Sequence, residues 1–276
     1  MFVELLKSIL FGIVEGICEW LPISSTGHMI LLNEFLTLKV SSEFYEMFEV
    51  VIQLGAILAV IVLFFNKINP FAGYKSREQR RATLSLWSKV IFAVIPSAVI
   101  GALLDDWLNE KFYNYLTVAV MLIVYGVAFI IIERLDKKDN AEVQAIDGIG
   151  YREALFVGAF QVLSMIPGTS RSGSTILGGR LLGLSRASVA EFSFFMAIPT
   201  MLGASLLKTV KFFVDKNTVT LNEWIVLAVG SAVAFAVSML VIRFLIDFVK
   251  RHTFFAFGVY RIILGAIVLF YFFFAR

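Results

Sequence analysis

The sequence predicts an all-α integral membrane protein built as an inverted-topology repeat. The prediction is based on the overall apolarity, the length of the uncharged runs and an internal repeat. Of the 276 residues, 59% are hydrophobic and 16% are charged, whereas soluble domains carry about 25% charged residues. Several runs approach or exceed the roughly 20 apolar residues that a helix needs to cross a bilayer. We therefore expect one membrane domain, residues 1–276, of about ten helices, with six transmembrane spans and two re-entrant helical hairpins.

The composition also limits the chemistry and the partners. Cys18 is the only cysteine, so an intramolecular disulfide and a cysteine metal cluster are excluded. Residues 1–23 carry glutamates and lack a small-residue cleavage site, so no cleavable signal peptide is expected. Membrane lipids are the expected surroundings, and no nucleic-acid partner is expected.

The first predicted re-entrant hairpin covers residues 3–38. Its first helix, residues 3–21, is apolar but interrupted by glutamates, and it ends before Pro22 because residues that precede proline are pushed out of the α region. Its second helix, residues 25–38, is too short to cross the membrane. Two incomplete helices in succession indicate a hairpin that enters the membrane and returns to the same side.

Three full spans complete the first half, residues 1–135. The loop at residues 66–89 carries six basic residues against one glutamate, so we expect it on the cytoplasmic side. The short loop at residues 105–114 is acidic, as an outer loop would be. The spans are predicted at residues 44–65, 90–104 and 115–132.

The second half, residues 151–276, repeats this order after a polar link at residues 133–152. Its re-entrant hairpin, residues 153–184, is broken at Pro167. The link at residues 243–252 is basic and again expected on the cytoplasmic side. The spans are predicted at residues 190–207, 224–246 and 254–274.

An internal repeat at an offset of 146 residues relates the two halves. Each half has three spans, an odd number, so the second half must be inverted relative to the first, with both termini outside the cell. In such repeats, broken helices meet near the midplane and direct their positive N-terminal ends at an anionic substrate. The matched pairs are Gly12 with Gly158, Glu15 with Gln161, Ser24 with Ser170, Thr26 with Ser172, and Gly27 with Gly173.

Glu15 and Glu19 lie one turn apart in the first helix, so their carboxylates share a face. Two like charges on an apolar helix destabilise it unless a cation, a proton or an arginine lies between them. We interpret the pair as a site for a divalent cation, Mg²⁺ or Ca²⁺, or as an acid–base pair. The structural alternative is a pair of helix-face carboxylates near the water interface.

The segment 24–28, Ser-Ser-Thr-Gly-His, has the pattern of a helix N-terminus. Free N–H groups at a helix start bind phosphate oxygens, and the hydroxyls add donors. His28 can orient or deprotonate a neighbouring hydroxyl, or donate a proton to a leaving oxygen. An ordinary N-cap and a packed histidine are the structural alternatives.

A related segment, residues 167–175, opens the second helix of the second hairpin. Arg171 between two serines at a helix start is predicted to clamp a phosphate, because its fork of donors lies beside free amides and hydroxyls. A snorkelling interfacial arginine is the alternative. Arg180 and Arg186 are weaker candidates, since headgroup contacts would account for them. Gln53 lies within a span and either faces the cavity or serves helix packing.

Three stretches resemble the signature segments of the bacterial undecaprenyl-diphosphate phosphatase family, the bacitracin-resistance family. They are residues 15–28, 48–55 and 167–175, and the likeness extends essentially end to end with the same spacing between segments. The resemblance implies hydrolysis of a C55 isoprenoid diphosphate to the monophosphate that carries cell-wall precursors. It also implies a divalent cation and a fold of paired re-entrant hairpins in an inverted repeat.

The resemblance assigns roles to particular residues. The family's catalytic residues correspond to Glu15, Glu19, Ser25, His28 and Arg171, and the two glutamates are the expected metal ligands. The nucleophile stays open between the Ser25 hydroxyl, His28 and an activated water, with Ser25 assisted by His28 preferred. We further expect substrate contacts from Ser24, Thr26, Gly27, Gln53, Ser170, Ser172, Gly173 and Thr175.

The sequence thus predicts a multi-pass enzyme of the bacterial plasma membrane that hydrolyses a polyprenyl-diphosphate lipid and confers bacitracin resistance. The alternative is a polyprenyl-phosphate flippase or transporter, because inverted repeats with broken helices are transporter architecture. Two glutamates, a serine and a histidine provide more acid–base chemistry than translocation requires, which favours hydrolysis. Assembly as a homodimer stays open.

Overall fold

The computed structural model describes residues 1–135 and 145–274. All regular secondary structure in these residues is helical, as predicted. Two short 3-10 helices, Ile146–Gly148 and Leu163–Met165, accompany the α-helices. The α-helices are α1 (Phe2–Cys18), α2 (Ser25–Phe35), α3 (Ser42–Val51), α4 (Gln53–Leu63), α5 (Phe65–Ile68), α6 (Arg77–Phe112), α7 (Tyr115–Leu135), α8 (Tyr151–Val162), α9 (Arg171–Leu181), α10 (Arg186–Val214), α11 (Leu221–Val249) and α12 (Phe255–Phe274).

Six helical segments of the described chain are long and apolar enough to cross a membrane. This confirms the six predicted spans. The first, Ser42–Leu63, consists of α3 and α4, which continue each other across Ile52. The other five are α6, α7, α10, α11 and α12.

The span formed by α6 is much longer than the sequence predicts. It begins inside the basic loop because Ser76 and Gln79 form a capping box, in which each side chain accepts a hydrogen bond from the other residue's backbone N–H. It ends at Phe112, so the predicted outer loop at residues 105–114 is mostly helix. A helix can leave the apolar layer and continue into water as long as its ends are capped.

Each broken helix packs against a long span of the other half: α1 lies along α11, and α8 lies along α6. Gly12 permits the first contact, since a Cβ at this position would lie 2.5 Å from the carbonyl oxygen of Gly230. Gly158, its partner in the repeat, permits the second contact, since a Cβ there would overlap the carbonyl oxygen of Ala93. Small residues let helix backbones approach closely, so the matched glycines support equivalent helix contacts in the two halves.

Both predicted helix breaks are present. α1 ends at Cys18 and α2 begins at Ser25, while α8 ends at Val162 and α9 begins at Arg171. That each pair enters and leaves the membrane on one side, and that the halves are inverted, stay predictions. Part of the predicted polar link, residues 136–144, lies outside the described residues.

Candidate active site

Two turns, one from each broken helix pair, meet at the centre of the protein. Turn one, residues 19–24, joins α1 to α2, and turn two, residues 163–170, joins α8 to α9. The Ser172 hydroxyl, at the start of α9, donates a hydrogen bond to the carbonyl oxygen of Glu19 at 3.2 Å. This contact places the start of α9 directly against turn one.

Ser24 and Ser170 end the two turns with a positive φ, although their ψ angles differ, at 94° and 132°. Their φ angles are 76° and 75°, in the left-handed region that residues other than glycine rarely adopt. Each serine caps the next helix, because its Oγ accepts a hydrogen bond from the backbone N–H of Gly27 at 3.2 Å or of Gly173 at 3.1 Å. The first N–H groups of each helix lack intrahelical partners, so both helix starts are suited to bind an anion.

The Glu19 carboxylate is the centre of the cluster between the turns. The residue is 4% exposed. Its Oε2 accepts a hydrogen bond from the Ser25 hydroxyl at 2.7 Å, and its Oε1 accepts one from Nη2 of Arg171 at 2.9 Å. One carboxylate therefore joins a hydroxyl of the first helix pair to a cation of the second. A carboxylate in this position can take the hydroxyl proton, while the arginine balances its charge.

Arg171 is held on three sides. Its Nη1 donates to the carbonyl oxygen of Ser193 at 2.7 Å and to the hydroxyl of Ser193 at 2.9 Å. Its guanidinium carbon lies 5.6 Å from the centroid of the buried Trp20 ring. The hydroxyls of Thr175 and Ser193 are joined by a 2.7 Å hydrogen bond. Thr175 therefore supports the Arg171 site through Ser193.

Glu15 is fully buried one turn before Glu19, and neither of its carboxylate oxygens has a hydrogen-bond partner among the described residues. An unpaired buried carboxylate is costly unless a proton or a cation accompanies it. The pair fits a divalent cation bound by oxygen ligands. No cluster of three or more histidine, cysteine, aspartate or glutamate side chains occurs in the described chain. Such a cation would therefore need further oxygen ligands from phosphate or water.

Both ring nitrogens of His28 form hydrogen bonds with groups other than the Ser25 hydroxyl, so the predicted pairing of these two residues stays a prediction. The Nδ1 of His28 lies 2.7 Å from the carbonyl oxygen of Ser24, and its Nε2 lies 2.7 Å from the hydroxyl of Tyr260. A carbonyl only accepts, so Nδ1 carries a proton, and in the neutral ring Nε2 accepts from Tyr260. Helical side chains lean toward the N-terminus, which directs His28 at Ser24 and Ser25 at Glu19.

A cavity of about 540 Å³ opens beside the two turns. It is lined by both turns, by residues of α6 and α10, and by Gln53 at the start of α4. The predicted site residues that line it are Glu19, Ser24, Ser25, Thr26, Gln53, Ser170 and Arg171. The others, Glu15, Gly27, His28, Ser172, Gly173 and Thr175, lie outside the lining.

Several polar residues of the site were missed or undervalued at the sequence level. Gln161, the repeat partner of Glu15, is buried and lines the cavity, and its Nε2 donates to the hydroxyls of Ser97 at 2.7 Å and Thr200 at 3.1 Å. Isolated hydroxyls in long apolar helices give little signal. Arg261 is fully buried between the turns. A charge within a predicted span is by default a functional candidate, and that signal could have identified it.

Arg186 forms an ion pair within the protein and not the predicted contact with lipid headgroups. It is buried and forms a two-pronged ion pair with the Glu133 carboxylate, with a shortest distance of 2.6 Å. This ion pair joins the start of α10 to the end of α7.

Comparisons with known proteins identify the family of this chain. Residues 8–267 match the sequence model of a family described as "Bacitracin resistance protein BacA". A protein named undecaprenyl-diphosphatase from Enterococcus faecalis is 54% identical over 275 residues, which are 100% of both chains. Proteins of the same name from Streptococcus thermophilus and Acetivibrio thermocellus are 55% and 56% identical. Each match includes 98% of this chain, with 93% of the first relative and 98% of the second.

Proposed function

We propose that this chain, which belongs to the bacitracin resistance protein BacA family, hydrolyses undecaprenyl diphosphate to undecaprenyl phosphate and inorganic phosphate. It is a multi-pass protein of the bacterial plasma membrane. The names of its relatives favour hydrolysis over the flippase alternative. The reaction regenerates the lipid carrier of cell-wall synthesis, which accounts for bacitracin resistance. The observation that carries the proposal is the Glu19 carboxylate bonded to both Ser25 and Arg171.

The diphosphate is proposed to bind in the cavity beside the two turns, with the prenyl tail in the membrane. Arg171 would donate to phosphate oxygens, and the free N–H groups at the starts of α2 and α9 would add further donors. Thr26 and Ser170 line the same cavity and supply hydroxyls. Gln53 also lines the cavity and would contact the substrate from α4.

We assign the Ser25 hydroxyl as the nucleophile and Glu19 as its base. Glu19 accepts the proton while the oxygen bonds to the terminal phosphorus, and the bond from that phosphorus to the bridging oxygen breaks. Undecaprenyl phosphate leaves, and water then cleaves the phosphoserine to release inorganic phosphate and restore Ser25. Arg171 and the helix-start amides stabilise the charge on the transferred phosphoryl group.

His28 is assigned a positioning role. Its hydrogen bond to the Ser24 carbonyl oxygen supports the left-handed conformation of that residue, which aims the next residue, Ser25, at Glu19. The Tyr260 ring lies parallel to the imidazole, with an interplanar angle of 3°, and its hydroxyl is hydrogen-bonded to Nε2, which fixes the orientation of His28.

Glu15 and Glu19 are the residues that would hold a divalent cation. Such an ion, when bound, supplies charge neutralisation to phosphate oxygens. The orphaned oxygens of Glu15 support this assignment.

Phosphate release by the purified protein in detergent tests the proposed function. A detergent micelle has no second compartment, so a flippase would release no phosphate from a C55 diphosphate. We expect release by the parental protein, a loss of at least about 100-fold in Ser25→Ala, since the nucleophile is removed, and full activity in Ser238→Ala. Ser238 is a matched control, because it is buried and its hydroxyl donates to the carbonyl oxygen of Gly16.

Rapid quenching with substrate labelled on the terminal phosphate tests the nucleophile. We expect label on Ser25, identified by mass spectrometry of the digested protein. Substantial turnover by Ser25→Ala would contradict this assignment and indicate attack by water, with Glu19 as its base.

A further inference from the structure

Arg261 of α12 is a charged residue at the centre of the protein that the proposed chemistry does not use. It is 0% exposed. No ion pair joins it to a carboxylate within residues 1–135 and 145–274. A buried cation is costly unless its donors are satisfied, so the position of this guanidinium requires an explanation.

The guanidinium of Arg261 donates to carbonyl oxygens of both turns. Its Nη1 donates to Pro22 of turn one at 2.9 Å, and its Nη2 donates to Gly168 of turn two at 2.6 Å and to Thr169 at 2.9 Å. Pro22 and Gly168 are related by the repeat offset of 146 residues. One side chain thus binds the equivalent carbonyl of both repeats.

The surroundings of Arg261 are shaped to hold this fork. Its guanidinium carbon lies 5.3 Å from the centroid of the Tyr125 ring, a cation–π contact from α7. A Cβ on Gly173 would lie 3.2 Å from Nη1 of Arg261, so glycine leaves the room that the guanidinium occupies. The neighbouring residue, Tyr260, contacts His28, so α12 contacts turn one and α2 through two consecutive residues.

We propose that Arg261 is a positioning residue that sets the separation of the two turns, so that Ser25 and Arg171 act on one phosphate group. This inference rests on the proposed function. Ser25 and Arg171 belong to different helix pairs and are joined through their hydrogen bonds to Glu19. Arginine presents a planar fork of donors, whereas lysine is a point charge that cannot bridge three carbonyls in the same geometry.

Arg261→Lys and Arg261→Met test the proposal in combination. We expect both to lower kcat by about 100-fold, because a displacement of about 1 Å in a catalytic group costs this much. The KM should change by less than about threefold, since Arg261 does not touch the substrate. Retained activity in Arg261→Lys would show that charge alone suffices and would overturn the bridging role.

A distance measurement supplies a readout that does not depend on turnover. Spin labels at Phe35→Cys and Leu163→Cys, which are 63% and 41% exposed, report the separation of the two helix pairs. Cys18 is buried, and any labelling there is subtracted with a protein that lacks the introduced cysteines. We expect one narrow distance in the parental protein and a broadened or shifted distribution in both Arg261 variants.

Arg186→Met is the matched control, because it also removes a buried arginine but one that is paired with Glu133 away from the turns. It should lower thermal stability while the distance distribution and the kcat of the folded fraction are kept. An unchanged distance in both Arg261 variants would overturn the proposal, as would a rise in KM with unchanged kcat. A parental protein that releases no phosphate would refute the proposed function. The distance measurement would still test whether Arg261 sets the separation of the two turns.

Discussion

The two turns both end in a capping serine of positive φ, but they present side chains of opposite charge. Ser24 and Ser170 have φ angles within 1° of each other, 76° and 75°, and both cap a glycine N–H. Turn one contributes the carboxylate of Glu19, whereas turn two leads directly into the cation of Arg171. The repeated geometry provides two anion-binding helix starts. The differing side chains convert this symmetric anion site into one that can break a bond.

Glu15 in α1 and Gln161 in α8, just before the two turns, also differ in charge at equivalent positions of the repeat. Both are buried at equivalent positions of the repeat. The Gln161 amide donates to two hydroxyls, from Ser97 and Thr200, whereas the Glu15 carboxylate has no hydrogen-bond partner among the described residues. A neutral amide can be satisfied by neighbouring hydroxyls, but a carboxylate requires a proton or a cation. The half with the unpaired carboxylate is therefore the half expected to bind metal.

Removing the carboxylate of Glu19 in turn one should lower activity more than any other change to the two turns. Glu19→Gln loses the base for Ser25 and the anionic partner of Arg171, so we expect kcat to fall by about 1000-fold, or about 4 kcal/mol in barrier. Phosphate release measures it. Glu110→Gln is the control, since Glu110 is an exposed carboxylate whose side chain is 69% accessible. A loss below about 10-fold would argue against Glu19 as the base.

Weakening the cation that follows turn two, Arg171, should lower activity less than the loss of Glu19. Arg171→Lys keeps the charge but cannot reach both Ser193 and Glu19 in the same geometry, so a loss of about 100-fold in kcat/KM is expected. Steady-state kinetics with a C55 diphosphate measure it. Wild-type kinetics in this variant would mean that a point charge suffices at this position.

Making the two halves alike at Glu15 and Gln161 should weaken the binding of the cation. In Glu15→Gln the cation concentration for half activity should rise by about 10-fold, since one ligand is lost. The rise in melting temperature on adding Mg²⁺ or Ca²⁺ should be smaller for the same reason. Both are measured on chelator-treated protein. An unchanged cation response would instead identify Glu15 as a protonated structural residue.

The reverse exchange, Gln161→Glu in α8, tests the same contrast from the second half of the chain. It should destabilise the protein by about 1–3 kcal/mol, because it buries a carboxylate beside two hydroxyls without a cation. Thermal or denaturant unfolding in detergent measures it. A stability equal to that of the parental protein would show that this position tolerates charge in either half.

Substitution of either capping serine should lower stability by the same amount, because both serines cap a helix in the same way. Ser24→Ala and Ser170→Ala should each lower stability by about 1 kcal/mol, because each loses a helix cap. The corresponding glycine variants should lose only a few tenths of a kcal/mol, since glycine adopts positive φ freely and is itself a tolerated cap. A difference of more than about 1 kcal/mol between the losses of stability in Ser24→Ala and Ser170→Ala would contradict an equal capping role for the two serines.

Local signals in the sequence predicted the elements and much of the site. Hydropathy located the six spans, Pro22 and Pro167 marked the two breaks, and the N-cap pattern placed helix starts at Ser25 and Arg171. The length of α6 was underestimated, because a capping box at Ser76 extends the helix beyond the apolar segment. These features depend on residues within one or two helical turns of each other, so the sequence carries them directly.

The sequence by itself determined where the helices break, which residue types lie at the breaks and that the pattern repeats. Only the tertiary structure decided which of these residues meet. Arg171 reaches Glu19 across 152 positions, Arg261 binds Pro22 across 239, and His28 faces Tyr260 rather than Ser25. Each contact depends on how far two helices are rotated about their axes and how deeply they are inserted. Those quantities are set by the packing of whole helices, for example at Gly12 and Gly158, and not by the spacing of residues within one helix.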